Sequence, residues 1–223
     1  MTQSNHVSKV TMVLAAVAGY CDTATFVAGD NIFSAHVTGN FITFAFQMVT
    51  GAPINAWIKL LTFPIFIIAV ITGGRLSEKA KNKNKLLLIE ALILIIVGVL
   101  SLTWHLEQDK VTLYISVMMV VFALGLQNAY GKLFSKETHG PTTMMTGNVT
   151  QASLDFGSLL AGKFSAPDAL TSFKKQLTTI MGFLSGCVLG AVIAREFGLA
   201  SILLPGIGMV ACYFLTDKPQ VAA

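Results

Sequence analysis

The chain has 223 residues, of which 54% are apolar and only 12% charged, where an ordinary soluble domain carries roughly 25% charged residues. With a mean hydropathy of +0.70, this excludes a soluble globular protein and points to an integral membrane protein whose first partner is the lipid bilayer. The net charge of +4 does not mark a nucleic-acid binder, because the Lys and Arg residues fall in short stretches between apolar runs rather than on one soluble face.

Met1 to Val7 lack the basic start, short apolar core and small-residue cleavage site of a secretory signal, so the first apolar run is expected to remain in the mature protein. That run, about 10–28, contains Gly19-Tyr20-Cys21-Asp22. Asp22 is deep enough that it must pair, protonate or face water. Next comes His36-Val37-Thr38-Gly39-Asn40-Phe41, opening a short apolar segment from Thr38 to Val49 that Gly51-Ala52-Pro53 closes. At 1.5 Å per residue this segment covers only about 18 Å. The runs 55–74 and 86–104 follow, with Trp57 and Trp104 near their outer boundaries as interfacial anchors. Glu90 is expected to form an interfacial ion pair with Lys83 or Lys85.

A fourth run, 111–130, carries Gly125-Leu126-Gln127-Asn128. Segment 142–161 is unusually polar and contains Met145-Thr146-Gly147-Asn148-Val149 as well as Asp155. The runs 176–195 and 198–216 complete the chain. Gly182, Gly186 and Gly190 recur every four residues on one face of the former, spacing that lets helix backbones approach closely. That face could join the two halves of the chain or two protomers of a homodimer. Cys21, Cys187 and Cys212 stand alone in apolar segments and read as packing residues, and no metal or cofactor motif is present.

The Thr-Gly-Asn word thus recurs 108 positions on, each time after an apolar run with a glycine-led polar pair. The expected fold is all-α: a polytopic helix bundle of about six full spans plus two short or re-entrant helices, forming one transmembrane domain over 1–223. It divides into repeat 1, about 8–105, and repeat 2, about 110–217. Charge favours this count, since Lys and Arg in short loops prefer the cytoplasm. With six spans and a cytoplasmic amino terminus, Lys9, Arg75, Lys79, Lys81, Lys83, Lys85, Lys132, Lys136, Lys163, Lys174, Lys175 and Lys218 lie inside and Lys59, Lys110 and Arg195 outside, twelve against three. Eight spans give a near-even split, while seven give eleven against four and stay open on charge alone. Three crossings per unit make the repeat inverted, so the two words approach the bilayer middle from opposite faces.

At such a place Thr38 or Asn40, and Thr146 or Asn148, suit helix N-caps, and Gly39 and Gly147 permit close approach. Half-helices starting there would present N–H groups to a small polar or anionic solute, with Gln127 and Asn128 beside them. The bland alternative is capping and packing alone. Asp22 faces a neutral counterpart, Asn128, which suggests one titratable group for proton coupling, with His36 able to bond the solute or Asp22.

Gly19 through Asp22, Ala35 through Asn40, Ala123-Leu124-Gly125-Leu126-Gln127-Asn128-Ala129 and Thr142 through Asn148 together resemble the YoaK-like family of small bacterial inner-membrane proteins. The resemblance covers most of the chain. It implies a polytopic protein of about six spans in the inner membrane, and it carries no substrate or reaction. The expected function is a small secondary transporter, with a passive channel or a non-transporting subunit of a membrane complex as alternatives. An enzyme is not expected. Of His6, His36, His105 and His139 only His36 falls in a plausible membrane pocket, and no HExxH or GxSxG word occurs.

Overall fold

The computed structural model describes residues 2–51, 54–79, 84–104, 109–162 and 164–216. Among these, helices form wherever the apolar runs predict them: α1 (Thr2–Ala28), α2 (Gly39–Val49), α3 (Ile58–Lys79), α4 (Lys85–Trp104), α5 (Lys110–Leu133), α6 (Met145–Ala161), α7 (Pro167–Phe197) and α8 (Leu203–Thr216). Short 3-10 turns at Ile54–Trp57 and Gly198–Ile202 lead into α3 and α8. Five stretches are long and apolar enough to cross a bilayer: Asn5–Ala28, Ile58–Glu78, Lys85–Trp104, Lys110–Leu133 and Pro167–Phe214. The last has 48 residues and contains both α7 and α8.

Local signals account for the helix ends. Asp109 caps α5 by accepting from the Thr112 amide at 3.0 Å, a contact of about 1 kcal/mol. Helix α7 starts on Pro167 with Asp168 in its first turn, carries Arg195 in its last, and stops at Gly198, whose φ of +57° suits glycine. Beyond Gly198 the chain doubles back along α1. Tyr20 donates its hydroxyl to the Ser201 carbonyl at 3.1 Å, and Gly208 lies beside Val17.

Helices α1 and α5 are the most buried and form the centre, with Leu14, Ala18, Cys21, Val117, Val121 and Leu124 inaccessible. Helix α1 packs chiefly on α7, α3 on α5, and α4 on α8, while α2 lies on α3 and α6 on α7. Close approaches set the directions. Gly182, Gly186 and Gly190 sit against Met12, Ala16 and Tyr20 in turn, so α1 and α7 run parallel. Gly125 faces Phe66 and Ala69 while Gly73 faces Ala129, which makes α3 and α5 parallel as well. Gly98 meets Leu203 and Gly206 meets Ile95, so α4 and α8 are antiparallel. The glycine face of α7 is therefore occupied within the chain. Outward-facing side chains such as Phe63, Ile67 and Ile71 on α3 and Leu184, Val188 and Val192 on α7 are apolar, as lipid contact requires.

A methyl group on Gly186 would collide with the Ala16 carbonyl, whereas one on Gly157 meets open space. Gly186→Ala is expected to lower stability by about 1–3 kcal/mol. Gly157→Ala should raise it by about 0.5–1 kcal/mol through helix propensity. Thermal unfolding midpoints of the detergent-solubilised variants check both signs.

Candidate functional site

Residues 29–38 leave α1 and fold back beside it, which buries loop backbone that needs partners. Asp22 supplies them. One carboxylate oxygen accepts the amides of Ala35 at 2.7 Å and His36 at 3.1 Å, and the other accepts His36 Nδ1 at 2.8 Å. Asn40 pairs with both backbone groups of Phe33 at 2.8 Å and donates to Thr62 Oγ1 at 3.1 Å. At the turn, Asp30 and Asn31 adopt left-handed φ values of +61° and +58°. Buried Lys59 donates to both of their carbonyls, and the Tyr114 hydroxyl reaches Asp30 Oδ2 at 2.7 Å. Asp22 is nearly inaccessible while the His36 side chain is 39% exposed, edge-on to Phe183 of α7. The Asp22 carboxylate holds the His36 imidazole above its ordinary pKa against the opposing effect of burial.

Residues 134–144 form the matching loop. Gln127 Nε2 bridges the Leu14 carbonyl of α1 at 2.7 Å and Thr142 Oγ1 at 2.9 Å, and Asn128 Nδ2 donates to Thr143 Oγ1 at 2.8 Å. Asn148 donates to the Pro141 carbonyl at 3.0 Å. Pro141 precedes Asn148 by seven residues, the separation between Phe33 and Asn40 in the first loop. The His139 amide donates to Thr11 Oγ1 at 2.9 Å and its Nε2 pairs with Ser8 Oγ at 2.8 Å. Burial, with the Lys175 charge adding to it, pulls the His139 imidazole below its ordinary pKa. Leu14 and Asp22 are eight residues apart on α1. The two loops are therefore anchored about 12 Å apart along one helix.

The interior thus holds Asp22, Asn40, Gln127 and Asn148, while Thr38, Thr146 and Gly147 are exposed. Side-chain capping by the words is not what the structure shows. Thr38 occupies the N-cap position of α2 without a capping bond, and Met144 precedes α6. The asparagines are drawn instead to the loop backbone. The amides of Gly39, Asn40 and Phe41 donate to His36, Val37 and Thr38, so the start of α2 offers an anion little. Gly39 approaches the Phe33 ring, but Gly147 has open space around it and an ordinary φ. Among the described residues no hydrogen bond or ring contact joins one word to the other.

Sequence reasoning did not foresee Thr62, Thr142 and Thr143 as partners, nor the Leu14 carbonyl as an acceptor. Glu90 also departs from expectation. It is fully buried with both oxygens unpartnered, Lys85 is exposed, and Lys83 lies outside the described residues. The cysteines are free. Among the described residues no three His, Cys, Asp or Glu side chains converge on a metal-sized site.

Because Asp22 raises the folded-state pKa of His36, the pair stabilises the fold at low pH. The wild type should exceed His36→Asn in thermal midpoint most clearly below about pH 6.5, and the advantage should fade as pH rises through the raised value. A pH series of unfolding midpoints on both proteins tests this; an advantage growing with pH would contradict the pairing.

Among curated proteins the chain is similar to the UPF0700 transmembrane protein YoaK of Bacillus subtilis (strain 168), 22% identical over 203 residues that cover 88% of each chain. No solved structure matches it. A family model described as protein of unknown function DUF1275 matches residues 10–216, nearly the whole helical bundle, and the chain belongs to that family.

Proposed function

We propose that the chain is a small secondary transporter of the bacterial inner membrane, built as an inverted repeat, which moves a small polar solute between its two buried loops. The observation that carries this reading is the paired loop architecture. In each half a non-helical segment is folded into the bundle and pinned by an asparagine seven residues on, and both segments are anchored on α1, at Asp22 and at Leu14. Irregular backbone at membrane depth is tolerated where it is buried in protein or lines a polar cavity. Exposed Thr38, Thr146 and Gly147 beside these tethers would line the path, and His36, held by Asp22, would respond to protonation. With the first amides of α2 paired internally, a neutral polar solute fits better than a strongly anionic one.

Helix pairing supports the repeat. Exchanging α1, α2, α3, α4 for α5, α6, α7, α8 turns the α1–α7 contact into α5–α3, the α2–α3 contact into α6–α7, and α4–α8 into itself. Gly19 packs on the Phe183 carbonyl, as Gly125 packs on that of Phe66. Helix directions favour six crossings. With seven, α1 and α7 would be the first and sixth and run oppositely; with eight, α4 and α8 would be parallel.

In a cysteine-free background, Thr50→Cys should react with an impermeant maleimide in intact cells and Asn5→Cys only after permeabilisation. Labelling of both from outside would favour seven crossings and remove the inverted repeat.

Flux into proteoliposomes, screened over neutral polar solutes, amino acids, organic acids and inorganic anions, tests transport. Gly147→Leu should cut the detected flux by about tenfold, equivalent to roughly 1.4 kcal/mol of lost solute contact, without lowering the thermal midpoint. Unchanged flux in that variant would rule out the path beside α6.

A further inference from the structure

Among the described residues the buried carboxyl group with neither oxygen partnered is that of Glu90, not Asp22. Asp22 takes three donors and acts as a clamp on the first loop. Glu90 lies on α4 at 0% exposure, among Leu86, Leu87, Ala91 and Leu94, and neither carboxyl oxygen has a hydrogen-bond partner. Two thiols lie near it, those of Cys21 from α1 and Cys212 from α8. Beyond Cys212 comes Tyr130 of α5, fully buried, whose phenol donates to Asn84 Oδ1 at 3.4 Å just before α4 begins. Among the described residues no Lys, Arg or His faces it.

A bare carboxylate in such surroundings is expensive, and the two inexpensive remedies are a bound proton or a bound cation. A metal cation needs several oxygen ligands. The neighbours here are two thiols and aliphatic side chains, which leaves the proton. We propose that Glu90 is an internal proton-binding site, carrying a proton at neutral pH, with access from the Asn84 end past Tyr130 and Cys212. On the transporter reading, Glu90 rather than Asp22 is the coupling acid. Proton binding converts the carboxylate to a carboxylic acid, and release of the proton to water regenerates the carboxylate, so no co-reactant is required.

Infrared spectroscopy of the purified full chain, with no solute present, tests the site directly. At neutral pH the protein should show the carbonyl stretch of a protonated carboxylic acid, and Glu90→Gln should remove the intensity of one group. Because a neutral unpartnered acid adds no ion pair, Glu90→Gln and Glu90→Leu should both fold with thermal midpoints near or above wild type. A spectrum unchanged by Glu90→Gln would overturn the proposal, as would loss of the acid band when sodium is added at constant pH, which would mark a cation site. In proteoliposomes Glu90→Gln should lose accumulation driven by a pH gradient while keeping solute exchange. An acid band of Glu90 together with no flux in any variant would uphold the proton site and refute the transporter instead.

Discussion

Backbone that leaves a helix inside an apolar bundle has no water to pair with, and each amide or carbonyl left alone there costs about 1–3 kcal/mol. The polar residues of the interior answer to that requirement. Asp22, Asn40, Gln127 and Asn148 each hydrogen-bond to one of the two loops, and between them they hold Phe33, Ala35, His36, Pro141 and Thr142 in place. The repeated Thr-Gly-Asn word makes sense in these terms. Its asparagine is the tether that turns inward, and its threonine, joined in the second copy by Gly147, is left at the surface that the tether creates.

Against this polar frame the helices associate with little hydrophobic drive, since lipid is as apolar as the side chains. Close backbone contact takes its place. Gly182, Gly186 and Gly190 admit the carbonyls of α1, and Gly19 and Gly125 admit those of Phe183 and Phe66. These contacts fix which helices run parallel. Register in the glycine seams and placement of the tethers are one problem, because both are set along α1.

Most of the helical architecture is legible in the sequence, because apolar run length and Gly or Pro punctuation determine where membrane helices start and stop. Boundaries such as Gly39–Val49 and Lys85–Trp104 follow that logic closely. Asp22 can be singled out from its depth and His36 from its place beside the first word. What is not legible is direction of side-chain use. Asn40 could have capped α2 or bonded a solute, and only the return of the chain past Phe33 decides between them. Glu90 was assigned to the interface by its distance from Lys85, but which face of α4 turns toward α8 depends on Gly98 and Gly206, two close contacts from distant parts of the chain. Thr142 and Thr143 carried a signal, their position just before the second word, that composition could not separate from ordinary loop polarity.

The Gln127 bridge has a mechanical meaning. Its amide grips Thr142 and the Leu14 carbonyl together, and Thr11 and Ser8 hold His139 on the same helix. Asp22 holds the other loop eight residues further along. Helix α1 therefore holds both loops at once, as a common axis for the buried backbone. Pulling the two loops apart would break these bonds at low dielectric, so the loops and α1 form one hydrogen-bonded unit, while none of these bonds comes from α4 or α8.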